Sequence, residues 1–247
     1  MSDWVKGRVI GKKQWNHRLF SLQIDAPIHD FKAGQFTKVA LDIGNERVGR
    51  PYSLVNAPQE RPLEIFFNEV PEGPLTPRLS DLVTNDGLWL SARPGGVFTM
   101  ENVVQRRHLW LLATGTALGV YLSILRTPEP WTQFDRVVLV HGVRTADELA
   151  YGEAVASLKE RRGERFNFLP LLSRERRGDA LYGRITQLLE SGVLEARAGL
   201  RIHPDDSHLM LCGNSEMIKE VRDLLEARGL RRHRRNEPGH YTTEQYH

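Results

Sequence analysis

Apolar residues recur at two different spacings along the chain. In the first hundred residues they come in short runs. RLFSLQI (18–24) alternates apolar and polar positions, GQFTKVAL (34–41) does so less cleanly, and PLEIFF (62–67) and GLWLSA (87–92) are brief apolar stretches bounded by Pro, Gly, Asn or Asp. Alternation and short bounded runs predict β-strands, and several at this spacing predict an antiparallel barrel or sandwich. One stretch breaks the pattern. LTPRLSDLV (75–83) offers a threonine start, an early proline and apolar residues at Leu79, Leu82 and Val83, which predicts a short helix.

After ARPGGVF (92–98) the period changes. HLWLLAT (108–114) is almost wholly apolar and leads through a turn of small residues into the helix-like ALGVYLSIL (117–125), and RVVLVHG (136–142) leads into TADELAYGEAVASLKERR (145–162). RFNFLPLLS (165–173) before RITQLLESG (184–192), and SHLMLCG (207–213) before SEMIKEVRDLLEARG (215–229), repeat the pattern. Strands that are apolar throughout need cover on both faces, and alternating helices supply it through right-handed crossovers, so a parallel α/β sheet is expected. The boundary is expected near 99–106, giving a β domain over 1–102 and an α/β domain over 103–247.

In an open α/β sheet, ligands bind beyond the carboxyl ends of the strands. Those ends are Thr114-Gly115-Thr116, His141 to Arg144, Ser173-Arg174 and Cys212-Gly213-Asn214. The glycines of ATGTALG (113–119) either let a backbone approach a diphosphate or simply pack strand on helix. Arg174 past one strand end and Arg184 at the next helix start suit a phosphate monoester, such as the one NADP carries on its ribose, because guanidinium is planar and permanently charged. Arg176 and Arg177 read as solvated surface. Cys212, last in an apolar strand, is expected to be a small core residue without a covalent role that can border a nicotinamide ring. In the β half, RVGRPYSLVNAP (47–58) is either an edge strand or a ligand site. Pro51 cannot donate a ladder hydrogen bond, whereas Arg50 has a route to an anion, Tyr52 a flat ring and Ser53 a hydroxyl.

Composition narrows the classes. With 40% hydrophobic and 26% charged residues, the 247-residue chain fits an ordinary globular protein with one or two cores. No run approaches the roughly 20 apolar residues of a membrane span, and MSDWVKGRVI lacks a signal-peptide layout, so a cytoplasmic protein is expected. The single cysteine excludes an internal disulfide and, by itself, an iron–sulfur or zinc site, so redox chemistry would need another cofactor. The basic run RGLRRHRRNEPGH (228–240), within a sequence of pI about 9.1, suits an acidic partner. It lacks the interleaved aromatics of a nucleic-acid surface, so no nucleic-acid partner is expected.

Taken in order, Gly34-Gln35-Phe36, Arg50-Pro51-Tyr52-Ser53, Gly115-Thr116, Cys212-Gly213-Asn214 and an aromatic C-terminal end resemble the ferredoxin/flavodoxin–NADP+ reductases of the short bacterial type, along the whole chain. The resemblance implies a six-stranded antiparallel FAD-binding β-barrel followed by a parallel α/β NADP-binding domain. It implies hydride transfer from NADPH to FAD N5, and release of single electrons to an acidic ferredoxin or flavodoxin. It assigns Arg50 to the FAD phosphate, Tyr52 to stacking on the isoalloxazine, Ser53 to the region of N5, and Pro51 to the same cradle. Pro74, Leu75 and Thr76 match the loop that receives the FAD diphosphate, Phe66 and Phe67 lie beside the flavin, Thr116 can contact it, and Tyr246 or His247 covers it. For NADP(H) it places Thr114 and Gly115 near the diphosphate with Arg144 nearby, Ser173, Arg174 and Arg184 on the 2′-phosphate, and Cys212, Gly213 and Asn214 near the nicotinamide. Ser53, Cys212 and Glu244 are the catalytic candidates. No feature requires more than a monomer, and a related FAD-dependent NAD(P)H reductase with another acceptor is the alternative.

Overall fold

The computed structural model describes residues 3–246. Their contacts form two compact units, Met1–Thr99 with Gly119–Thr127, and Met100–Leu118 with Pro128–His247.

The first unit is an antiparallel sheet of β1 (Trp4–Gln14), β2 (Leu19–Asp25), β3 (Phe36–Ile43), β4 (Glu46–Ser53), β5 (Leu63–Asn68) and β6 (Gly87–Ser91), in the order β4-β3-β6-β1-β2-β5. A bridge between Leu54, just past β4, and Ile65 of β5 joins the two ends of that order, and the Val55 N–H donates to the Glu64 carbonyl at 2.9 Å. The sheet therefore curls toward the closed barrel that removes exposed edges. Val9, Leu22, Ile24, Val39, Leu54, Leu63, Ile65 and Leu90 fill its interior, which explains the alternation along the strands. The short helix α1 (Thr76–Asp81) follows β5. It is shorter than the pattern predicts, and Val83 stands exposed beyond its end. Thr76 does not cap it: its hydroxyl turns back to accept the Val70 N–H at 2.8 Å.

Residues 119–127 pack in this unit as well. The Ser123 hydroxyl donates to the Asn56 carbonyl at 2.8 Å, Arg126 donates to the Val55 carbonyl and pairs with Glu60, and Tyr121 lies against Phe98. Asn56 is itself a buried hub, donating to the carbonyls of Ala57 and Glu60 and accepting from the Glu64 N–H.

The second unit holds β7 (His108–Thr114), β8 (Arg136–Val143), β9 (Phe166–Leu172), β10 (Leu181–Tyr182), β11 (Ser207–Asn214) and β12 (Tyr241–Tyr246), in the order β10-β9-β8-β7-β11-β12 with every pairing parallel. The helices are α2 (Leu118–Leu125), whose residues from Gly119 belong to the first unit, α3 (Glu129–Gln133), α4 (Gly152–Arg162), α5 (Ile185–Glu190), α6 (Val193–Ala198) and α7 (Ser215–Ala227). Trp110, Leu112, Val138, Val140, Leu169 and Leu211 meet Ile185 and Leu189 of α5, Leu194 of α6 and Ile218, Val221 and Leu225 of α7 in one core. The continuous apolar runs of the sequence are thus central parallel strands. The long helix expected over 145–162 is broken: 146–148 form a single 3₁₀ turn, Tyr151 takes φ 59°, and α4 begins only at Gly152.

Candidate functional site

In the first unit the candidates gather at the end of β4 and along β5. β4 pairs only with β3, residue against residue from Glu46–Ile43 to Ser53–Phe36, so the Pro51 run is an edge strand. Arg50 is exposed, donates to the Gly49 carbonyl at 2.8 Å, and pairs with no carboxylate among the described residues. Tyr52 stands edge-on to Phe67 with ring centroids 6.0 Å apart, and Phe67 stacks on Phe20 at 5.9 Å. Burial pushes the Tyr52 phenol well above its ordinary range, so it stays protonated. Phe66 meets Trp15 edge-on at 6.4 Å. Leu75 is buried, Pro74 accepts from Arg78 at 2.7 Å, and Thr76 closes the loop on Val70. The edge strand therefore supplies a cation, a flat ring and the Ser53 hydroxyl in four consecutive residues.

In the second unit β7 is the switch point: β8, β9 and β10 lie on one side of it and β11 and β12 on the other. The crevice at such a reversal is where open α/β sheets bind ligands. Gly115 turns the chain out of β7 at φ +56°, with open space beside its Cα. Gly213, at φ +123°, lets the end of β11 close on β7, since a Cβ there would sit 2.2 Å from Thr114 Oγ1. The same Oγ1 accepts the Asn214 N–H at 2.8 Å, and the Asn214 side chain caps α7 through the Glu216 and Met217 N–H groups.

Farther along the sheet, the loops after β8 and β9 are zipped together. Ser173 N–H donates to the Val143 carbonyl at 3.0 Å, Arg174 N–H to the Arg144 carbonyl at 2.9 Å, and Ala146 N–H to Glu175. Gly183 N–H donates to the Leu172 carbonyl at 3.0 Å, which sets Arg184 just past the neighbouring strand end. Arg144, Arg174 and Arg184 are exposed and have no carboxylate partner among the described residues. Arg176 is exposed, as expected, and its guanidinium lies 4.1 Å from the centre of the Tyr182 ring.

On the other side of the switch point Cys212 faces Glu244 across the β11–β12 register, and Tyr246 faces Asn214. Cys212 is fully buried; burial and the neighbouring Glu244 hold its thiol protonated well above the ordinary range, despite a hydrogen bond from Tyr246. Burial lifts the Glu244 carboxyl to about 7, and its Oε2 has no hydrogen-bond partner among the described residues. His247 lies outside the described residues.

A family model described as the oxidoreductase NAD-binding domain matches residues 111–223. The chain is 42% identical to the flavodoxin/ferredoxin–NADP reductase of Escherichia coli over the whole of both sequences. It belongs to the flavodoxin/ferredoxin–NADP reductase family. A ferredoxin–NADP reductase of Pseudomonas aeruginosa is 35% identical over 99% of this chain and 98% of its own. Among solved structures, a ferredoxin–NADP+ reductase from Neisseria gonorrhoeae with bound FAD and NADP superposes with a TM-score of 0.94, at 29% identity and 99% coverage of both chains. The reductase family fold, an antiparallel β unit and a parallel α/β unit, is the one expected from the sequence.

Two groups of this reductase were given no role from the sequence. His141 at the end of β8 is fully buried and bonded to the Gly115 carbonyl at 2.9 Å; it stands among the strand-end residues, but its type alone gives it no role. At the opposite strand ends, buried His208 accepts the Val104 N–H and lies near His233, His240 and Arg106. His208 lies 25 residues before His233, so spacing could not have joined it to the histidines of the basic run.

Proposed function

We propose that the chain moves electrons between NADPH and a one-electron carrier, a ferredoxin or flavodoxin, through bound FAD. Family membership makes it an oxidoreductase of FAD and NADP(H). The observation that carries the NADP reading is the set Arg144, Arg174 and Arg184, three exposed guanidiniums at neighbouring strand ends with no carboxylate partner among the described residues.

When bound, FAD accepts the hydride of NADPH and can release electrons one at a time. The protein's own residues bind and orient. Within 1–102, Arg50, which has no carboxylate partner among the described residues, the Tyr52 ring braced by Phe67, and Ser53 suit a flavin dinucleotide, with Pro51, Phe66, Phe67, Pro74, Leu75 and Thr76 as its further surroundings. Within 103–247, Thr114 and Gly115 suit the diphosphate, Arg144, Ser173, Arg174 and Arg184 the 2′-phosphate, and Cys212 to Asn214 with Glu244 the nicotinamide. Cys212 serves there as an uncharged thiol, because a proton held that firmly leaves no nucleophile. The Glu244 carboxyl, near 7, can hold or yield a proton at neutral pH.

The purified protein should be yellow and release FAD on denaturation; a colourless protein would sink the reading. NADPH-driven reduction of ferredoxins and flavodoxins from the same cell should slow as salt rises, since an acidic carrier meets a basic protein. A salt-independent rate would remove the electrostatic part. No helix among the described residues is long and apolar enough to cross a membrane.

A further inference from the structure

His141 is fully buried, and its Nε2 lies 2.9 Å from the Gly115 carbonyl oxygen. A carbonyl only accepts, so Nε2 carries the proton and Nδ1 is left an acceptor; Nδ1 is buried with no partner among the described residues. We propose that His141 is a positioning residue for dinucleotide binding: it clamps the Gly115 carbonyl inward and thereby aims the adjoining Thr116 N–H toward the ligand's diphosphate. The inference rests on the reading of Thr114-Gly115 as the diphosphate turn.

Three observations support it. The C=O and N–H of a trans peptide point in opposite directions, so a carbonyl held by His141 turns the Thr116 N–H to the far side. Gly115 sits at φ +56° with nothing within 4 Å of the place a Cβ would occupy, so side-chain packing does not fix this peptide. Its carbonyl is instead held by two donors, His141 and the Leu118 N–H. Finally, a buried acceptor without a partner works against stability, and an apolar side chain of similar size would avoid it. A group retained at that expense is explained by the turn it holds. Burial keeps the imidazole neutral down to about 4, and Nε2 carries a proton in the neutral and the protonated ring alike, so the clamp does not depend on pH.

The test measures Kd by calorimetry for NADP+ and for adenosine 2′-monophosphate, which carries the 2′-phosphate but no diphosphate. His141→Leu is expected to bind NADP+ about tenfold more weakly, the worth of one hydrogen bond. Binding of adenosine 2′-monophosphate should stay within twofold of wild type. His141→Gln, whose amide can reach the Gly115 carbonyl, should restore NADP+ binding. His141→Asn, whose amide stops short, is the second loss variant and should match the leucine substitution. Unchanged NADP+ binding in both loss variants, equal weakening of both ligands, or no rescue by glutamine would overturn the proposal. A wild type that binds neither ligand would instead remove the diphosphate-turn reading, and this inference with it.

Discussion

Gly213 leaves no space for a methyl group. Its φ of +123° is one that side-chain-bearing residues rarely adopt, and Thr114 fills the position of the missing Cβ. Gly213→Ala should cost on the order of 2 kcal/mol and weaken NADP+ binding, read by thermal unfolding and calorimetry. Arg174 acts on a different part of the ligand. Arg174→Ala should raise the KM for NADPH roughly tenfold or more and leave that for NADH little changed, because the lost contact is to the 2′-phosphate; equal changes would remove it from that site. Protonation makes a third prediction. Burial holds His141 near 4 and His208 near 3, against an ordinary 6.5. Below about 6.5 the unfolded chain takes up protons that the folded one refuses, so stability is full above 6.5 and is lost as pH falls toward 4. Glu244 has the opposite sign. Its carboxyl is raised from 4.5 to about 7, so its contribution is full below 4.5 and is lost as pH rises through 7. The stability advantage of Glu244→Gln over wild type should therefore be larger at pH 8 than at pH 5 in thermal melts. The acid-side loss should persist in that variant.

At the scale of elements, the sequence was most readable where burial is complete. β7, β8 and β11 are apolar almost throughout because both faces of a central parallel strand are covered, and their ends pointed to Gly115, Arg144 and Cys212. β1 was not read from its pattern. In WVKGRVIGKKQ the inward positions include Gly7, and the C-terminal part of the strand is exposed and lysine-rich, so alternation is faint. β12 was equally hidden: YTTEQY is polar because it is an edge strand buried mainly at Tyr241. α4 came out short because Tyr151 adopts a left-handed conformation that no periodicity announces. The loop after β4 depends on Asn56, whose side chain makes three bonds to the backbone while buried. Asn56→Ala should remove the acceptor of the Glu64 N–H, while the Ala57 and Glu60 carbonyls keep the Glu60 N–H and Arg61 as donors, and destabilise the first unit by about 1–3 kcal/mol. Denaturant unfolding followed by a probe in that unit would read it, and a change under 0.5 kcal/mol would show that the hub does not hold the loop.

At the scale of the whole molecule, two compact units share one chain, and a single unfolding transition is not guaranteed. Unfolding should respond to the two ligands separately, FAD raising the midpoint of the first unit and NADP+ that of the second. The chain passes from one unit to the other after Thr99, after Leu118 and after Thr127. That interleaving has a consequence for recombination. A gene spliced once near codon 100 would give a protein whose β unit lacks its own Ser123, Tyr121 and Arg126 and takes the corresponding segment from another parent. Exchange of halves between relatives should succeed only when codons 119–127 travel with the first hundred.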